Sequence, residues 1–546
     1  MSALKKRYLF LIVPSFIIIF LFLIALIGNL ESPIKAKKLP KTSKSYRTLT
    51  LEQQNKDLEY VKYYFTQHYI NYDMMVEKGF DIDDTINQIE KALQKDRRKD
   101  GTIESSNFKS ALVNTVLKNF NITDNHFSVC GITPEHNIFY FTNVYVKPQS
   151  TPDGIKYIVV KNEEDDFPDY IKKNRTNADT SEIKPGQEYT GSTELLYEWF
   201  DGNEKIYRIG IMAKGNINNV FLQIDGKPAK APVVAPWQLR NQKAQGTIET
   251  SETLYISLKN FMFENSSSNN LIYKNKKEFA KLCNNIKEKS KDKKNIIIDL
   301  RSNQGGELLR SAMILSNIFY DEKDISPDLY QYLLNQVNDD YTLLSPSTGA
   351  LYRQAIIPSI KAKFRSKKNK NEKFEMEVAV NEIYHKYNNL QNYCAICQVF
   401  GPYRKIEKLP YKKTSVKELP EAVFNGTIYV LTDSYSASCS EYTLALLHFM
   451  TRNANVKICQ IGLNTNGAVF YFNPHTVVLP YSGGWFYLPT AINKSENFNN
   501  PNFYGEGYGW YPDYWCTNQN ILNTLINLSS DKELENKLQG LEISQL

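Results

Sequence analysis

Cysteine is sparse in this 546-residue chain, and its number is odd. The seven thiols, Cys130, Cys283, Cys394, Cys397, Cys439, Cys459 and Cys516, are too few for a disulfide scaffold in a chain this long. Cys394 and Cys397 make a single C-x-x-C with no second pair nearby, so no zinc site is complete, and no strand–helix redox pattern surrounds it. A local disulfide or two plain thiols remain, and neither carries a function. The most prominent basic stretch runs from Lys361 to Lys373, with little aromatic interleaving. That composition reads as a solvated loop rather than a nucleic-acid surface. No internal repeats are found in the sequence.

The remaining composition describes packed domains. Hydrophobic residues make up 42% of the chain and aromatics 13%, with 36 Tyr, which excludes general disorder. The length calls for two to four domains. The net charge of +7 is spread over many Lys, Asp and Glu and marks no particular partner. The long uncharged run is at the amino terminus, where Tyr8 to Ile27 follows Lys5, Lys6 and Arg7. Its length matches a helix crossing about 30 Å of hydrocarbon. The basic flank is expected to stay cytoplasmic and send the body outward. Residues 1–30 therefore read as a signal anchor or a signal peptide, and no A-x-A-like cleavage pattern is evident after them. Either way the body is expected in the cell envelope, outside the cytosol, membrane-anchored or secreted.

Residues 31–48, rich in Lys, Ser and Pro, read as a stalk. From 49 to 130 apolar residues recur at helical spacing: Leu58, Val61, Tyr64 and Phe65, then Ile86, Ile89, Ala92 and Leu93, then Phe108, Leu112, Val116 and Leu117. A small helical domain is expected there. Residues 131–248 alternate as strands do, around Lys156–Val160 and Tyr207–Ile211, with turns at Pro185-Gly186 and Asp225-Gly226. A β-rich middle domain follows from that. From 249 to 546, apolar strands at Thr253–Leu258, Ile296–Leu300 and Thr427–Leu431 alternate with helices at Glu307–Phe319 and Ser440–Thr451, which argues α/β. A charged insertion interrupts this core at about 320–419.

Two strings carry chemistry. Ser436-Ala437-Ser438-Cys439-Ser440-Glu441 lies between a buried strand and a helix, where a hydroxyl is exposed and the helix terminus favours developing negative charge. Taken alone, such a serine cluster more often serves in helix capping. Asp299-Leu300-Arg301-Ser302-Asn303-Gln304-Gly305-Gly306 also sits between strand and helix. Its paired glycines let bare amides approach an oxyanion, although they equally fit an ordinary turn.

Together the strings resemble the catalytic core of the tail-specific, or C-terminal processing, serine peptidases. That family's pattern has an Asp-Leu-Arg-x-Asn-x-Gly-Gly turn and a Ser-Ala-Ser-x-Ser-Glu segment on a crotonase-like (ClpP-like) α/β core. The resemblance covers about Thr253 to Asp513 and implies Ser438 as nucleophile. The amides of Cys439 and of Gly305 or Gly306 would then form the oxyanion hole. One branch of the family activates its serine with a Lys, but here Ala468 stands at the comparable position. A second branch, resembling the tricorn core, takes a His from an Asp-x-His loop and a Glu from a Glu-x-x-Gly-x-x-Pro-Asp string. Asp124-Asn125-His126 and Glu506-Gly507-Tyr508-Gly509-Trp510-Tyr511-Pro512-Asp513 match both.

The resemblance thus implies a Ser438, His126, Glu506 triad, with Glu496 as a rival acid and His448 as a packing residue. Three departures stand out: Asn125 in place of Gly or Ser, Cys439 after the nucleophile, and the long insertion. Segments Ile183–Gly186 and Leu222–Pro228 faintly resemble PDZ sequences in the middle domain. The expectation is a membrane-anchored extracytoplasmic serine endopeptidase that acts on peptides or unfolded protein, needs no metal or organic cofactor and binds no nucleic acid. The alternatives are an inactive peptide- or ligand-binding surface protein on the same fold, or a scaffold that uses the insertion.

Overall fold

The computed structural model describes residues 46–134, 137–162, 183–201, 204–215, 217–234, 246–261, 271–345, 348, 404–408, 414–516 and 521–544. The Tyr8–Ile27 run, Cys394, Cys397, the basic stretch and most of the insertion lie outside these residues. Among the described residues, no helix is long and apolar enough to cross a membrane. The chain forms two compact units, the first from Met1–Pro134, Asp339–Lys412 and Tyr471–Lys494, the second from Glu135–Asn338, Lys413–Phe470 and Ser495–Leu546.

The first unit carries the expected helices, Leu51–His68, Tyr72–Glu77, Ile82–Asp96 and Ser105–Asn119. The longest begins with a capping box, in which Gln53 N donates to Thr50 Oγ1 and Thr50 N to Gln53 Oε1, which meets two amides left without partners at the helix start. The helical stripes Leu58, Val61, Tyr64, Phe65, Ile89, Leu93, Phe108, Leu112 and Val116 are all buried. They bury against Val477, Leu479, Phe486 and Leu488. Those residues come from a sheet whose strands run in the order Lys405–Lys408, Asp340–Leu344, Trp485–Asn493, Tyr471–Val478, with Ser128–Val129 paired to Trp485–Asn493. The helical region thus shares its core with a hairpin from residues 471–494, a stretch that the sequence reading kept in the α/β core. Pairing between distant strands leaves no local periodicity to read.

The second unit is built on a six-stranded sheet in the order Gly246–Glu249, Thr253–Ser257, Asn295–Asp299, Thr427–Thr432, Lys457–Gly462, Tyr514–Trp515. Only the first pairing is antiparallel. Every residue of Thr253–Ser257 and Asn295–Asp299 is buried, as expected of parallel strands covered on both faces. Helices Leu308–Phe319 and Cys439–Met450 follow the third and fourth strands. The same unit holds an antiparallel sheet of seven strands between residues 137 and 234. Its strand Lys227–Val234 pairs with both Asn219–Ile224 and Asn137–Thr151, which closes five of the strands into a ring. The Asp225-Gly226 turn joins two of them with both residues at positive φ, 51° and 74°.

Candidate active site

The strand Thr427–Thr432 runs out into a loop that is tied down residue by residue. The Asp433 carboxylate accepts from Ser302 N at 2.9 Å and Tyr435 N at 3.0 Å. Ser436 is buried, and its hydroxyl donates to Leu300 O at 2.8 Å. Ala437 N and the Ser440 hydroxyl both donate to Asn303 O, at 3.0 and 2.8 Å. Both hydroxyls thus tie the loop to the glycine turn, and neither caps the helix Cys439–Met450, whose N-cap position is Ser438. Ser438 differs from both. It is only partly buried, it precedes the helix Cys439–Met450, and its backbone sits at φ 54°, ψ −114°. A side chain pays roughly 1–3 kcal/mol to hold such a conformation, which places a hydroxyl at a sharp strand-to-helix turn.

The facing turn is held from beneath. Arg301 grips Asp299 through two bonds of 2.9 and 2.7 Å, both residues are buried, and Tyr255 also donates to Asp299. The Asp-Leu-Arg string thus builds the turn. Asn303 donates to Leu258 O at 2.9 Å and accepts from Gly305 N at 2.9 Å. The second bond corrects the sequence reading of Gly305: its amide is committed to Asn303 and does not face an oxyanion. Gly305 serves instead by having no side chain. A Cβ there would lie 2.7 Å from Cys439 N and 2.8 Å from both Ala437 O and Ser438 Cβ, and φ is +95°. The amides of Gly306 and Cys439 donate to no other described residue, as expected for a bridge residue and for the first residue of a helix. The Cys439 thiol is buried and held well above its ordinary pKa by desolvation, so it is not a nucleophile.

Glu441 is the residue that the sequence reading treated only as a landmark. It is completely buried. Oε2 accepts from Ser438 N and Ala468 N, both at 2.9 Å, and Oε1 from Thr465 Oγ1 at 2.6 Å and Gly467 N at 2.8 Å. Burial pushes its pKa up to about 7, against the lowering effect of these four donors. The signal in the sequence was the Ser-x-x-Glu spacing of a capping box.

Glu506 lies in the turn that follows Tyr504. Its Oε2 accepts from Val469 N at 3.0 Å and Phe470 N at 2.8 Å. Gly507 N donates to Gly467 O at 2.8 Å, and Trp510 N to Thr465 Oγ1 at 2.7 Å, so this turn packs on residues 465–470. Glu496, the rival acid, is exposed. His448 stacks on Trp510 with ring centroids 5.1 Å apart, which fits a packing role. Ser438, Glu441, Glu506 and the glycine turn thus belong to one network in the second unit.

His126 belongs to the first unit. Its loop is anchored by Phe127, buried and stacked on Phe120 at 4.2 Å, and by Asp124. The Asp124 carboxylate accepts from Tyr69 Oη (2.7 Å), Asn71 Nδ2 (2.9 Å) and His126 N (3.0 Å), and burial raises its pKa to about 6. The His126 Nδ1 is buried with no hydrogen-bond partner among the described residues. Desolvation lowers the imidazole pKa to about 4, so the ring is neutral and able to accept a proton near neutral pH.

A serine at a strained strand-to-helix turn beside open amides defines a hydrolase-type site on an α/β sheet. Residues 252–458, which contain both the glycine turn and Ser438, match the model of peptidase family S41. The match supports a serine peptidase, and it falls on the segment whose motifs resemble the C-terminal processing peptidases. No curated protein matches the sequence. Similar solved structures include mature CPAF, at 13% identity over 88% of this chain and 98% of that one, with a TM-score of 0.42. The photosystem II D1 C-terminal processing protease is 12% identical over 86% and 94% of the two chains, with a TM-score of 0.29. A lipoprotein from Streptococcus agalactiae is 11% identical over 90% and 97%, with a TM-score of 0.32. At such TM-scores these likenesses add nothing to the site.

Proposed function

We propose that the chain is an endopeptidase in which Ser438 attacks the peptide carbonyl, His126 takes the Ser438 proton and later gives it to the leaving amine, and Glu506 orients the imidazole. The tricorn-like assignment rests on the Asp124-Asn125-His126 and Glu506–Asp513 strings and on Ala468 in place of a lysine. In this reading the Gly306 and Cys439 amides stabilise the tetrahedral oxyanion, a role worth roughly 2.7–4 kcal/mol per donor. The acyl-enzyme on Ser438 is then hydrolysed by water. A neutral His126 favours the first proton transfer, and the negative Glu506 favours the imidazolium that follows.

The finer architecture belongs to the same proposal: a crotonase-like core drawn from the second unit, a PDZ-like middle domain at 131–248, and a helical domain at 49–130, completed by the 471–494 hairpin, that supplies the base. The stalk at 31–48 and the apolar run within 1–30 support a body held outside the cytosol on a membrane anchor. Its substrates would be peptides or unfolded proteins.

The observation that carries the reading is Ser438, with its strained backbone beside two uncommitted amides, inside a matched peptidase segment. A serine-directed phosphonate should label the wild-type protein, and Ser438→Ala should abolish both labelling and casein hydrolysis. Labelling that survives the substitution would overturn the assignment. A protein that binds C-terminal peptides but is never labelled would instead be the inactive binding relative.

A further inference from the structure

We propose that Glu441 is a positioning residue for this reaction: its buried carboxylate fixes the Ser438 turn to the strip 467–470, and that strip in turn fixes Glu506. The proposal rests on the reading of Ser438 as nucleophile.

A carboxylate without a cationic partner is costly to bury, and a charged glutamate is retained inside a protein only where donors replace its water. Glu441 has four donors, all uncharged, and they come from two separate segments. One is the amide of Ser438 itself, the residue whose backbone is strained. The other three lie on the loop after the strand Lys457–Gly462, at Thr465, Gly467 and Ala468. The next two amides of that loop, Val469 and Phe470, go to Glu506. Gly467 is pressed on the Glu506 turn so closely that a Cβ would stand 2.5 Å from Gly507 N.

The same strip of backbone therefore holds the nucleophile's turn at one end and the candidate acid at the other. The Ser438 conformation is held partly from outside its own loop, as strained catalytic residues require. Ala468 has a part in this through its amide: at the position where relatives of the other branch carry a lysine, this chain uses the backbone to brace Glu441.

The test is Glu441→Gln in the full chain. It keeps shape and size but replaces one acceptor oxygen with a donor that faces other donors. Expected is a fall in kcat on the order of 100-fold, the effect of misplacing a reacting group by about 1 Å, with KM little changed and a matching drop in the rate of phosphonate labelling. Labelling and kcat at wild-type levels would overturn the proposal. Should Glu441→Gln not fold, Thr465→Val and Thr465→Ser decide. The serine variant, which keeps the hydroxyl, should retain kcat while the valine variant loses it, and equal kcat in the two overturns the proposal. Absence of labelling in the wild-type protein would show instead that the nucleophile reading has failed, and this proposal falls with it.

Discussion

Glu441 and Glu506 divide four successive peptide N–H groups between them: Gly467 and Ala468 donate to Glu441, Val469 and Phe470 to Glu506. Neither carboxylate can shift without moving backbone that the other holds. The effects of Glu441→Gln and Glu506→Gln on kcat should therefore not add. In a double-mutant cycle, the pair should lose less activity than the two single losses combined, with a coupling of about 0.5–3 kcal/mol. Strict additivity of the three measured rates would show that the strip transmits nothing.

The pH profile separates these groups. Glu441 is held near 7 by burial, and His126 is held near 4 by the same cause. A protonated Glu441 loses an acceptor, so kcat/KM of the wild-type enzyme should fall as pH drops through about 7. In Glu441→Gln that limb should disappear and leave the fall near 4 that belongs to the imidazole. Stability runs the other way. A carboxyl whose folded pKa lies above its unfolded value of 4.5 gives its full stabilisation below 4.5 and loses it as pH rises to about 7. Denaturant midpoints measured across that window should decline with pH in the wild type more than in the Gln variant.

Gly305 and Gly226 make a matched pair. Both have positive φ, but a Cβ on Gly226 meets open space whereas one on Gly305 meets the backbone of the Ser438 loop. Gly226→Ala should cost about 1 kcal/mol and leave hydrolysis intact. Gly305→Ala should cost more, about 3 kcal/mol, and also remove phosphonate labelling, because the Ser438 turn must move away. Thermal melts read alongside labelling rates check both statements.

The buried Arg301–Asp299 pair should behave as a structural unit. Arg301→Met removes the cation that faces the buried Asp299 carboxylate and should destabilise by about 3–5 kcal/mol in urea unfolding. Adding Asp299→Leu should recover part of that loss. A recovery is the outcome that distinguishes an uncompensated charge from simple loss of packing.

Much of the site was legible because its parts lie at strand ends. The apolar run Thr427–Thr432 followed by a serine cluster located the Ser438 turn, and Ile296–Leu300 followed by paired glycines located the facing one. Hidden from view were relations that need loop geometry. Nothing in Asn303 announces that its side chain takes the Gly305 amide, and this reversed the reading of that glycine. Three of Glu441's partners lie 24 to 27 residues away, so its spacing from Ser438 suggested only a local cap. Likewise the helical stripes around Leu58 and Phe108 were plain, while the hairpin of residues 471–494 that completes their core was not. Helical periodicity is local, and strand pairing across hundreds of residues is not.

Cys439 adjoins Ser438, the proposed nucleophile, but offers only its amide to the outside, because its sulfur is buried at the helix start. Oxidants and disulfide-exchanging thiols therefore have no access to a sulfur at this position. Iodoacetamide should accordingly leave Cys439 unmodified, as peptide mapping by mass spectrometry would show.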